Sequence, residues 1–166
     1  MIFKTNKHIP NLYNILLSLS RNIFFYRKIK LPDTFETRIY LMFFHFSILM
    51  IISKKKGSKF DQKSYDLFFH NIEYNLRELG FGDVSVNKKM KELNKILYDI
   101  LLKIEMKNDD NKFKISSSIL DKYLRPLKNE QNTKYTLLSD YFTKFFDFCF
   151  ELRLENMIEG CNKFKN

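Results

Sequence analysis

A chain of 166 residues with four Gly and three Pro can bury one core but has few turn-formers, which disfavours a hairpin-rich β fold. Its aromatics are 18 Phe and nine Tyr with no Trp, a bias that an A+T-rich coding sequence produces and that carries little functional information. The net charge of +10 is uneven: residues 1–60 hold eleven Lys or Arg against two acids, Asp33 and Glu36, hence +9 of it. That asymmetry points to an anionic partner for this end, against the competing reading of a merely solvated basic face.

From Pro10 onward, Leu12, Ile15, Leu16, Leu19 and Ile23 recur at helical spacing and predict a helix over 10–28 with a break near Ser20. The stretch "LPDTFETRIYLMFFHFSILMIISKKK" at 31–56 predicts a second helix over 33–54. Asp33, with Glu36 three residues on, reads as its capping box. The apolar run 39–52 inside it makes about 21 Å of helix. That falls short of the roughly twenty residues a bilayer needs, and His45 and Ser47 near its middle disfavour lipid further. It also lies too far from Met1 for a signal peptide. Apolar on nearly every side, it reads as the central helix of a soluble domain.

"KKKGSK" forms a turn, after which Tyr65, Phe68, Phe69, Ile72, Leu76 and Leu79 make the stripe of a third helix ending near 79. Gly80 is placed as a left-handed residue closing that helix, and Gly82 as a second backbone requirement. Asp83 or Ser85 would cap a fourth helix carrying Val86, Met90, Leu93, Leu97, Ile100 and Ile104. "MKNDDNK" is a loop, a short helix covers 115–125 before Pro126, and "LKNEQNTK" is the longest polar linker. A last helix over 135–159 turns Phe142, Phe145, Phe146, Cys149 and Leu152 inward. The expectation is an all-α fold, one domain over 1–166 of about six helices, with a helical tail over about 113–160.

Little of this suggests catalysis. A short turn at Gly57 would set the second and third helices antiparallel and bring His45 level with His70, with Asp66 and Glu73 a turn to either side. A metal needs three or four converging ligands, and the second helix offers only His45. Hydrogen-bonded core histidines are therefore expected. A carboxylate–histidine acid–base pair would lack a nucleophile and a phosphate cradle. Cys149 and Cys161, twelve apart on one predicted helix, are too far apart to pair, so no disulfide or metal framework follows and a reducing compartment is expected. No catalytic residue, metal or cofactor is assigned.

The corner "NLRELGFGDVSVNKKMKEL" at 75–93 sets Arg77, Glu78, Asp83 and Lys89 around Gly80 and Gly82. On physics alone it is a capped helix–helix corner. It also resembles, as L-R-E-L-G-x-G-D-x-x-V-x-K-K-M-K, the signature of the ubiquinol–cytochrome c chaperone family. Pro32, Asp33, Thr34, Arg38 and His45 resemble the same family's P-D-T segment, and "RNIFFY" and "QKSYDLFFHNIEYNLRE" fit the stretches leading into the two motifs. The resemblance covers about residues 14–105.

It implies an all-α protein without catalysis, and Asp33, Thr34, Arg38, His45, Arg77, Glu78, Gly80, Gly82, Asp83 and Lys89 as candidate interaction residues. Mitochondrial members of that family bind newly made cytochrome b during biogenesis of ubiquinol–cytochrome c reductase and associate with the ribosome near its tunnel exit. Bacterial members are short, like this chain. Because the resemblance starts near residue 14, too little precedes it for a presequence, and a bacterial protein at the cytoplasmic face of the inner membrane is expected. The expected function is an assembly chaperone whose Phe- and Met-lined grooves cover cytochrome b, with a small partner subunit as a further associate. Arg27, Lys28, Lys30, Lys54, Lys55 and Lys56 would dock it on ribosomal RNA or anionic lipid. The competing reading is a basic α-helical RNA- or membrane-surface module whose apolar content is all core. A contiguous exposed apolar groove would favour the chaperone.

Overall fold

A computed structural model describes residues 11–106, 113–127 and 131–166. Among the described residues there are seven α-helices, one π-helical turn and no strand. In chain order they are α1 (Leu12–Ser20), the π turn (Phe24–Lys28), α2 (Phe35–Lys55), α3 (Gln62–Glu78), α4 (Asp83–Met106), α5 (Ser117–Tyr123), α6 (Gln131–Phe150) and α7 (Leu154–Cys161). The helix start at Pro10, most of "MKNDDNK" and part of "LKNEQNTK" lie outside the described residues.

The axis is α2. It is long and apolar enough to cross a membrane, but α1, α4, α6 and α7 pack around it, and every residue from Leu41 to Leu49 is buried. A helix apolar on all sides keeps that surface from water only when ringed by others. Its N-cap is Thr34, whose hydroxyl accepts from the Thr37 N–H at 3.2 Å. The expected Asp33–Glu36 capping box is therefore not the cap used. Asp33 instead accepts from Arg38 Nε and Nη2 at 3.1 and 2.7 Å, because the first turn carries that guanidinium back over it.

The chain between α1 and α2 does not continue as α-helix. Ser20 donates to the Leu17 carbonyl at 2.7 Å and the Asn22 side chain caps the Phe24 N–H at 3.0 Å. The wide turn that follows closes through Ile29 N–H on the Phe24 carbonyl and Leu31 N–H on the Phe25 carbonyl. The extra width tucks Phe25, Ile29 and Leu31 into the core. It leaves Lys30 at φ 65°, the single left-handed residue other than Gly among those described.

Gly80, at φ 94°, closes α3. Its N–H bonds the Arg77 carbonyl at 3.0 Å, and the Phe81 N–H bonds that of Leu76 at 3.2 Å, the paired bonds of a Schellman end. Gly82 differs from the expectation: it is not left-handed and a Cβ there would meet nothing within 4 Å. Nor does Asp83 stand before α4 as its cap; it is the first helical residue and ion-pairs with Arg77 across the corner. Leu79, placed in the α3 stripe by spacing, is 58% exposed because the helix ends beneath it.

The last predicted helix is two. The chain breaks at Glu151–Arg153, and α7 folds back so closely that a Cβ on Gly160 would stand 2.9 Å from Leu152 Cδ1. This overturns the separation expected for Cys149 and Cys161. They sit on different helices, both buried as free thiols, and hydrogen-bonding contact with Cys161, reinforced by burial, pushes the Cys149 thiol up.

Candidate functional site

Between α1, the first half of α2 and the end of α3 lies a cleft of about 230 Å³. Tyr13, Leu17, Phe35, Ile39, Met42 and Leu79 give it an apolar lining, and Arg21, Arg38, Asn75 and Glu78 supply the polar part. The Asn75 amide donates to the Tyr13 hydroxyl, tying α3 to α1 across it. Arg38 is held by Asp33, whose hydrogen bonds raise the guanidinium pKa above its ordinary value. The pair is solvent-accessible, so its role is to fix an orientation rather than to add much stability.

Apolar surface continues out of the cleft. Leu79 lines it and stands exposed, and beyond it Phe81 is 41% and Val84 85% exposed on the corner. The corner is braced by Arg77, which pairs with Glu73 at 3.1 Å and with Asp83. The braced turn thus carries three exposed apolar side chains within six residues, the first of which lines the cleft.

Two motif segments far apart in sequence thus meet. Of the motif residues, Arg38 from the start of α2 and Glu78 from the corner line this cleft, with Asp33 paired to Arg38 and Asp83 to Arg77. The other motif residues lie elsewhere. Lys89 pairs with Glu92 along α4 at 3.7 Å. His45 is completely buried on the α6 side of α2: its Nδ1 donates to the Leu41 carbonyl at 2.6 Å and its Nε2 accepts from the Tyr141 hydroxyl at 2.9 Å. Rings of Phe25, Tyr141, Phe142 and Phe145 surround it edge-on. Burial pulls its pKa from 6.5 to about 4, so it is a neutral core residue. His70 is exposed rather than buried. The level pairing fails because α3 packs on α1 and α4 and meets α2 through Phe68 and Phe69 on Phe43, turning His70 outward. Among the described residues no three His, Cys, Asp or Glu side chains converge as a metal site.

Sequence reasoning missed Tyr13, Leu17 and Arg21, which helical spacing could assign only to a core stripe or its back. It also missed the exposed apolar corner, although a Phe between two glycines was a legible signal.

The basic candidates form two groups. Arg27, Lys28 and Lys30 are exposed before α2, whereas Lys54 and Lys55 are exposed at its far end, about 30 Å away along the helix. Lys56 is used internally: its ammonium donates to the Leu152 carbonyl at 2.5 Å and lies 5.0 Å from the Phe150 ring centroid. A further groove of about 690 Å³ runs along α6 and is more polar, with Lys114, Asp140 and Asp147 in its lining.

A family model described as ubiquinol-cytochrome C chaperone matches residues 27–144. The match includes both motif segments and extends into α6, further than the motifs alone suggest. The crystal structure of the Cbp3 homolog from Brucella abortus is similar with a TM-score of 0.65 and 22% identity, over 90% of this chain and 84% of that one. That likeness shows the fold. No curated protein matches.

Proposed function

Because the chain belongs to the ubiquinol-cytochrome C chaperone family, we propose that it is a non-enzymatic assembly chaperone holding newly made cytochrome b at the cleft between α1, α2 and α3. The observation that carries this reading is the convergence of two motif segments on one apolar cleft that continues onto Leu79, Phe81 and Val84. A cleft of about 230 Å³ admits a few client side chains, and the exposed corner extends the contact along a client helix. Arg38 and Glu78 set charges of both signs beside the apolar floor and orient what enters.

The basic N-terminal third docks the chaperone on an anionic surface, ribosomal RNA or lipid, at the cytoplasmic face of the membrane where the client appears. A small partner subunit completes the assembly. The competing module, whose apolar content is all core, leaves Leu79, Phe81 and Val84 unexplained.

The test is affinity isolation from the native membrane fraction, with mass spectrometry of what is retained. Cytochrome b is expected with the natural chain and is expected to be lost with Phe81→Asp/Val84→Asp. Retention of ribosomal proteins without cytochrome b, unchanged by the substitutions, would favour the module.

A further inference from the structure

The surface around the π turn combines charge with aliphatic side chains in a way that identifies its partner. Ile23 is 56% and Leu127 70% exposed. Leu127 is fixed beside the turn by its N–H on the Lys30 carbonyl at 2.9 Å. One wide turn returns after four to five residues, which puts Arg27 and Lys28 on the same outer face as Ile23. Arg27, Lys28 and Lys30 are exposed, and the ion pairs seen among the described residues involve none of them. The core side of the turn is already filled by Phe25, Ile29 and Leu31.

An RNA site sets aromatic rings free for stacking beside its cations. Here the rings of the turn are engaged. Phe24 stacks on Tyr141 at 5.5 Å between centroids, and Tyr26 packs its half-buried ring on the core while its hydroxyl donates to the Ser20 carbonyl at 2.8 Å. What is offered outward is aliphatic. Aliphatic anchors ringed by Arg and Lys fit the boundary between lipid headgroups and acyl chains.

We propose that this surface docks on an anionic lipid bilayer, with Ile23 and Leu127 entering the headgroup region and Arg27, Lys28 and Lys30 on lipid phosphates. The inference rests on the docking reading above and names its target. It also brings the cleft to the membrane, since Phe35, which lines the cleft, follows Lys30 by five residues.

The test is co-flotation of the full chain with vesicles of phosphatidylcholine alone and of phosphatidylcholine with phosphatidylglycerol, beside binding to single-stranded RNA. The natural chain is expected on the anionic vesicles, less so as salt rises. Arg27→Glu/Lys28→Glu is expected to cut vesicle binding roughly tenfold or more. Ile23→Ser/Leu127→Ser is expected to cut it roughly tenfold while leaving any RNA binding unchanged. Because the chain has no Trp, Leu127→Trp is a lone fluorescent reporter, and its emission is expected to shift to the blue on anionic vesicles. If charge reversal weakens vesicle binding but the serine pair does not and the reporter does not shift, lipid insertion is overturned while docking stands. Binding to RNA but not to anionic vesicles would make this an RNA site. Charge reversal without effect on either would overturn docking altogether.

Discussion

Acidification should weaken this fold through one imidazole. His45 is buried, neutral and bonded at both nitrogens, and burial holds its pKa near 4 against 6.5 when exposed. The folded value is the lower one, so the unfolded chain takes up the proton first. His45's contribution is complete above the unfolded value and is lost as pH falls from about 6.5 through about 4. At about pH 5 the unfolded imidazole is nearly all protonated and the folded one nearly all neutral, a difference of about 2 kcal/mol of stability relative to about pH 8. Paired carboxylates such as Asp99 and Asp121, whose pKa values are lowered from 3.8, lose their contribution below this window. Urea unfolding at several pH values, for the natural chain and for His45→Gln, measures the effect. The variant's absolute stability falls, but the readout is its pH slope, which should be flatter by about 2 kcal/mol across the window. An equal slope in both proteins, or an imidazole titrating near 6.5 by NMR in the folded chain, would refute the assignment of His45 as a neutral core residue.

Gly80→Val should cost about 2 kcal/mol or more, since φ is left-handed there and β-branching adds to the strain. Gly82→Ser should be neutral or slightly stabilising, as a better residue before α4; thermal melts of the pair in the reverse order would show the corner is misread. Lys30→Gly should raise stability by about 0.5–1 kcal/mol by relieving the left-handed residue that closes the π turn, and a lowered melting temperature would contradict that geometry. Lys56→Met should cost about 1–2 kcal/mol through loss of its bond to the Leu152 carbonyl and its contact over Phe150, whereas no change in urea midpoint would return Lys56 to the docking surface.

Much of the helical layout was legible because local chemistry and tertiary demand agree. The stripe from Val86 to Ile104 has one buried face, and Gly80 was needed where a helix closes left-handed. The resemblance also pointed to the two segments from which Arg38 and Glu78 reach the cleft. What escaped depends on distant partners. The break at Glu151–Arg153 has neither Pro nor Gly; it is held by Lys56 on the Leu152 carbonyl and by α7 folding back through Gly160. The side of α3 that faces outward follows from its packing on α1 and α4, which a short turn after α2 does not reveal. Thr34 rather than Asp33 caps α2 because Arg38 offers the carboxylate a better partner. The cleft draws on α1, which lies before the matched family segment.

The central claim, that the cleft and corner hold the client, is tested most directly by site-specific photo-crosslinking in native membranes. A photoreactive residue at Val84, 85% exposed on the corner, is compared with one at Leu102, 53% exposed on α4. The account predicts a crosslink to cytochrome b from Val84 and little from Leu102. Crosslinking that is absent at Val84, or equal at the two positions, would contradict it.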